Sequence, residues 1–259
     1  MRRADGVDLK LDWDVMAGDA GHSGDFCCFL GDRLIGYAQL DGNGREMEVT
    51  GATFPEFRRQ GIFRLLLTAV RAEVQARGVK ELLLVSYRGS LSGAAAVQAL
   101  GFPYLSSEYR MEAMAAALPP LPVGPLQLVP VNESNLALLA HLTAQSFSGG
   151  ATSAGALAQR LQQKGVRYFL AGLDGMQIGQ IGVVDTDSSI YIRGVGILPE
   201  YRRRGYGRQL LAVTVGLMLT EGHTHFTLDV ATDNPQALSL YQSCGFRETM
   251  VYDYYRIAL

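Results

Sequence analysis

Apolar positions set two periods along this chain. After Phe63, Leu66, Leu67, Val70 and Val74 recur at helical spacing, with Arg64, Arg71, Glu73, Gln75 and Arg77 between them, which predicts a one-sided surface helix. The run LLAVTVGLML at 210–219 is apolar almost throughout and sits in a predicted helix from Gly207 to Glu221. It is about half the ~20 residues a membrane span needs, so it reads as a buried core helix. Further along, the pattern predicts strands at 126–129, 166–173, 176–184, 189–198, 225–230 and 250–258. It places helices at 135–144, opened by Asn132, and at 155–163 and 235–243. The order βααβββαβαβ specifies an α/β fold with a mixed sheet, not a series of βαβ units.

The pattern occurs twice. FPEFRRQGIFRLLL at 54–67 aligns with LPEYRRRGYGRQLL at 198–211, 144 residues further on. Gly78 falls on Gly222, and Gly101-Phe102 on Gly245-Phe246, at the same offset. Upstream, FLGDRLIGY echoes FLAGLDGMQIGQ as strand, glycine turn and strand. The chain is therefore a duplicated α/β unit. Between the copies, LPPLPVGP at 118–125 holds four of the nine prolines and reads as a semi-rigid connector. The expected division is an abridged first domain over 1–117, the linker 118–125 and a complete second domain over 126–259. The first copy has only about 25 residues before its strand pair, too few for both opening helices.

Composition narrows the class. With 48% apolar and 19% charged residues, the 259-residue chain can build full cores. Its net charge of −2 argues against a general nucleic-acid binder, so any anionic partner must meet a local patch. Three cysteines, two of them the adjacent Cys27 and Cys28, make no disulfide framework and fit a reducing cytoplasm. Asp5 and Asp8 stand where a signal peptide would need an apolar stretch, so neither secretion nor membrane attachment is expected.

The local patch is Arg202-Arg203-Arg204-Gly205-Tyr206-Gly207-Arg208, between a strand ending at Pro199 and the helix from about Gly207. At such a turn the first helical N–H groups lack internal acceptors, and the helix dipole favours negative charge. The glycines admit close approach and the arginines add charged donors. Downstream, LDVATDNPQALSLYQSCGF places Asp229, Asn234, Tyr241 and Gly245-Phe246 in a fixed spacing. Asn234 before Pro235 is also a plain helix cap.

Loop and downstream motif together resemble the GCN5-related N-acetyltransferase (GNAT) family, whose loop reads Q/R-x-x-G-x-G/A. Arg202, Gly205 and Gly207 fill its fixed places. The resemblance covers 126–259 and, more loosely, 26–117. It implies two tandem GNAT domains, each built on a sheet whose middle strands splay apart. It also implies acetyl-CoA as acyl donor, no metal, pantetheine on the backbone of Val195, Gly196 and Ile197, pyrophosphate on the amides of 203–208, and Asn234 at the cofactor arm. Direct attack by an amine in a ternary complex is the implied reaction, with Tyr241 as general acid. Asp229 is either the base, acting through water, or a carboxylate that holds a loop.

At offset 144 the first copy has Val85 for Asp229, Ser90 for Asn234, Val97 for Tyr241 and Phe63 for Gly207, so a non-catalytic role is expected of it. The all-apolar helix at 210–219 needs cover from the other domain or a second subunit, which leaves room for a homodimer. His223 and His225 lack a third ligand nearby, so zinc is not expected, and Cys244 reads as a packed thiol. The acceptor, a small molecule or peptide bearing an amine, depends on loops such as 147–152 and 185–189. Two competing readings are an acyl-CoA-binding sensor without turnover and a transferase using charged tRNA, whose basic groove the sequence lacks.

Overall fold

The computed structural model describes residues 24–42, 46–120, 122, 124–147, 153–186 and 188–259. Residues 1–23, where the first copy is expected to be abridged, and 148–152 and 187 of the acceptor loops lie outside them. The chain forms two compact units, Met1–Tyr109 with Met250–Leu259, and Arg110–Thr249.

In the first unit β1 (Asp25–Leu30), β2 (Arg33–Asp41) and β3 (Glu46–Thr53) form an antiparallel meander. β3 then runs parallel to β4 (Glu81–Tyr87) after the crossover helix α1 (Ile62–Ala76). α1 buries Leu66, Leu67, Val70 and Val74, the four positions its period predicts, against Ala38, Leu40, Met47 and Val49. Burial of this kind contributes about 1.5–3 kcal/mol per large side chain. The helix α2 (Leu91–Leu100) follows, capped by Ser90, whose hydroxyl accepts from Gly93 N at 3.0 Å. The unit also takes the first part of β5 (Tyr104–Met114).

The last ten residues complete this unit. Within β11 (Arg247–Ile257), residues Tyr252–Ile257 pair antiparallel with Tyr87–Leu82 of β4. Leu83 and Val85 pack with Tyr252 and Tyr254, while Leu82 and Leu84 face the α1 side. β4 is thus buried on both faces, which explains its unbroken LLLV run. Arg88 clasps Asp253 through Nε at 3.0 Å and Nη2 at 2.6 Å, and Ser107 Oγ donates to the same carboxylate at 2.6 Å.

The second unit follows the predicted order element by element: β6 (Gln127–Pro130), α3 (Leu136–Ser146), α4 (Ala154–Leu161), β7 (Val166–Leu173), β8 (Met176–Asp185), β9 (Ile190–Ile197), α5 (Tyr206–Thr220), β10 (His225–Ala231) and α6 (Pro235–Ser243), then the start of β11. β6 to β9 are antiparallel and β9 to β10 parallel. Asp174 and Gly175, both at positive φ, make the two-residue turn between β7 and β8. Leu139 and Leu142 of α3 and Leu157 of α4 pack on Val166, Tyr168 and Leu170.

The proline-rich stretch lies within this unit, since the chain leaves the first unit at Tyr109 and returns at Met250. Its described residues lie against the second unit: a side chain at Gly124 would overlap Gln209 of α5, and one at Gly245 would meet Pro119 at 2.7 Å. α5 also touches β6, β8 and β9. Part of the cover its apolar faces require therefore comes from its own unit. Leu210, Leu211, Ala212, Thr214, Val215 and Met218 are buried. No helix among the described residues is long and apolar enough to cross a membrane.

Candidate functional site

The parallel strands β9 and β10 pair only at Phe226 with Ile190 and Thr227 with Tyr191. Among the described residues no further pairing joins them, so Ile192–Ile197 and Leu228–Ala231 flank an opening in the sheet. A bulge helps create it. The β8–β9 register passes from Gln180↔Gly196 to Gly182↔Arg193, so Gly194 and Val195 together oppose Ile181. Gly194 sits at φ +58°, where a side chain would be strained. Leu198 N donates back to Ile178 O at 2.9 Å, so the alternate backbone groups of Val195 and Ile197 face the other, splayed edge.

The strand runs through a turn at Pro199–Tyr201 into the arginine loop. Arg203 and Gly205 both adopt left-handed backbone, with φ +64° and +81°, and α5 begins at Tyr206. Gln209 N makes the first bond back, to Gly205 O at 3.1 Å, so the amides of Tyr206, Gly207 and Arg208 precede the helical ladder. At Gly207 an added Cβ would meet only Leu240 at 3.4 Å, which leaves the approach open. The first unit repeats this backbone, with Arg59 at φ +61°, Gly61 at +83° and α1 starting at Ile62. There Phe63 stands in place of Gly207 and packs into the core, with a ring carbon 3.0 Å from where a Cβ on Gly51 would lie.

The arginines divide their tasks. Arg202 Nε donates to Ile197 O at 2.8 Å and its Nη2 to Ser146 O at 3.0 Å, tying the end of β9 to the end of α3. The first of these bonds recurs as Arg58 Nε to Thr53 O at 3.1 Å, which marks it as part of the turn's architecture. Arg204 lies over the Tyr201 ring at 5.8 Å. Arg208 Nη2 donates to Ser243 O at 3.1 Å and, with the Gly207–Leu240 approach, joins α6 to the start of α5.

Asn234 caps α6, its Oδ1 accepting from Ala237 N at 3.1 Å. Tyr241 is buried on α6, edge-on to Phe246 at 6.2 Å. Burial, then the neighbouring Cys244, pushes its hydroxyl up to about 12, so it stays protonated at neutral pH. Burial likewise raises the Cys244 thiol, a packed residue.

Asp229 lies in a second cluster. Arg110 grips its carboxylate through Nε at 2.5 Å and Nη2 at 3.1 Å, Tyr191 OH donates to it at 3.2 Å, and the guanidinium sits 5.8 Å from the Tyr191 ring centroid. Arg110 and Tyr191 belong to no motif in the sequence, because only strand order brings 110, 191 and 229 together. His225 bonds Glu112 at 2.9 Å, and no metal-holding group of three occurs among the described residues.

Residues 137–246, all within the second unit, match the family described as Acetyltransferase (GNAT) family. Over these residues the chain is similar to acetyltransferase domains of GNAT type, and the mixed α/β fold with its opened sheet agrees with that similarity. Across most of the chain, the sequence is 28% identical over 243 residues to a mycothiol acetyltransferase of Clavibacter michiganensis, covering 87% of this chain and 77% of that protein. An aminoglycoside N(6')-acetyltransferase type 1 of Salmonella typhimurium is 27% identical over 105 residues, covering 37% of this chain and 72% of that protein. Among solved structures, a GCN5-related N-acetyltransferase from Sphaerobacter thermophilus superposes with a TM-score of 0.75 at 20% identity, covering 95% of this chain and 86% of that one.

Proposed function

We propose that the second unit transfers the acetyl group of acetyl-CoA to a primary amine by direct attack in a ternary complex. The observation that carries this reading is the continuity of the opened sheet edge, with the backbone of Val195 and Ile197, into a left-handed loop whose helix amides are free of intrahelical bonds. That arrangement suits an extended amide-bearing arm followed by a pyrophosphate, so the residues present fit the cofactor. When bound, acetyl-CoA supplies the activated acetyl thioester.

The protein's own groups do the rest. Val195 and Ile197 orient the arm by backbone bonding at the opened edge. Amides of the 203–208 segment, with Gly205 and Gly207 clearing the approach, hold the diphosphate, while Arg202 secures the turn. Asn234 starts the helix that carries Tyr241, and the Tyr241 hydroxyl, kept neutral by burial, gives its proton to the departing thiolate. Asp229 already accepts three hydrogen bonds, and this reading assigns it to holding Arg110 and Tyr191 in place, so the amine must arrive neutral.

The same reading makes the first unit non-catalytic. Phe63 occupies the glycine position of the loop, Val85 sits among Tyr252 and Tyr254 where Asp229 would be, and the β2–β3 ladder lacks the bulge, running unbroken from Gly36↔Thr53 to Asp41↔Glu48. Only the capping role survives, with Ser90 in place of Asn234. The three cysteines are free, in keeping with a reducing cytoplasm.

Two measurements test the proposal. A thiol-release assay over an amine library should show acceptor-dependent CoA production, and calorimetry should give one CoA site per chain. Tight CoA binding without release on any amine would favour the sensor reading, and two equivalent sites would overturn the silent first unit.

A further inference from the structure

Among the described residues, the side-chain oxygen of Ser146 is buried and has no hydrogen-bond partner. Such an atom loses its bonds to water on folding and gains nothing back, which leaves its bonding capacity open. Its position is specific. Ser146 is the last residue of α3, and its carbonyl is fixed by Arg202, which also holds Ile197 O. Its Oγ lies 3.0 Å from where a Cβ on Gly196 would stand, so only a glycine lets the hydroxyl come this close to β9 beside the bulge. One turn earlier Thr143 Oγ1 meets Gln180 Oε1 at 2.8 Å, and Gln180 pairs with Gly196. The neighbouring polar side chain on this face is thus satisfied, and Ser146 is not.

We propose that Ser146 Oγ donates a hydrogen bond to the acyl carbonyl oxygen of the bound donor, making it a further residue of the acyl-binding site. This rests on the donor reading given above. A hydroxyl held beside the splayed strand can reach a group lodged along Val195–Ile197, and the thioester carbonyl oxygen is the acceptor that acetyl-CoA adds to the amide carbonyls it shares with free CoA. No covalent step is assigned to it.

Ser146→Ala separates this role from a structural one, because the two predict opposite signs. If the hydroxyl waits for the donor, its removal relieves an unsatisfied group in the free protein and raises Tm by about 2–4 °C. Calorimetry without acceptor should then show acetyl-CoA binding weakened by about 3–10-fold, as for the loss of one neutral hydrogen bond, with CoA binding unchanged. Ser146→Cys, similar in size with a weak donor, should fall between wild type and alanine for acetyl-CoA. Equal weakening of both ligands, no change in either, or a lowered Tm would overturn the proposal. Failure of the wild type to bind CoA at all would instead remove the donor reading beneath it.

Discussion

Replacing Gly207 by phenylalanine installs in the second unit the residue that the first unit carries at Phe63. The backbone at this loop is the same in both, with left-handed residues at 203 and 205 matching 59 and 61, so the change needs no new main-chain conformation. Gly207 is the second residue of α5, and a Cβ there meets only Leu240 at 3.4 Å. Removing a helical glycine should raise stability by about 0.5–1 kcal/mol, which offsets part of any crowding against Leu240. Phe63 finds its seat against Gly51, but the counterpart at offset 144 is Val195, whose side chain denies a ring at 207 that place. The ring would therefore crowd the start of α5 and cover its first amides. Losing two hydrogen bonds to a charged group, at about 1.5–3 kcal/mol each, corresponds to an affinity loss of about 10²–10⁴. Calorimetric titration with CoA measures this directly, with a thermal melt to show that the fold is intact. A folded Gly207→Phe protein that binds CoA as tightly as wild type would refute the assignment of the loop. Gly207→Ala, which adds only a methyl group in ordinary contact, should keep the stability gain and weaken binding far less.

Tyr241→Phe should lower kcat by about 10² or more with KM little changed, since the hydroxyl is assigned to the proton transfer and not to donor binding. Because burial raises this hydroxyl to about 12, kcat should show no basic limb from it below about pH 10. A limb near pH 9 that disappears in the variant would contradict the structure. The same shift lowers stability as pH climbs from about 10 to 12, where the unfolded chain ionises first, and Tyr241→Phe should flatten that part of a stability profile. Arg110→Ala leaves the Asp229 carboxylate buried without its guanidinium and should cost about 3–5 kcal/mol in denaturant unfolding. Asp229→Asn in the same background should recover much of it, and additive losses would show that the pair is not coupled. Arg202→Ala should lower stability by about 1–3 kcal/mol in denaturant unfolding, because two carbonyls lose a charged donor. An unchanged stability would argue against the tie between α3 and β9.

Much of this molecule is local and therefore legible in its sequence. The α1 face of Leu66, Leu67, Val70 and Val74, the caps at Ser90 and Asn234, the two-residue turn at Asp174-Gly175 and the left-handed glycine before α5 all follow from period, propensity and backbone sterics within a few residues. The 144-residue repeat carried the same information twice, which is why the second unit's order of elements was readable in full. What required tertiary structure is whatever depends on which strands become neighbours. The pairing of β11 with β4 returns the chain's end to the first unit, because Met250, Tyr252 and Tyr254 supply the apolar face that Leu83 and Val85 need. No periodicity distinguishes that partner from any other half-buried strand. Likewise Arg110 finds Asp229 across 119 positions of sequence, and Ser146 meets Gly196 only because Arg202 draws the end of α3 onto the bulged strand. Side-chain chemistry at one position is written in the residue itself. Whether that chemistry is satisfied, or is left open for a ligand, is set by neighbours that only the folded chain brings within hydrogen-bonding distance.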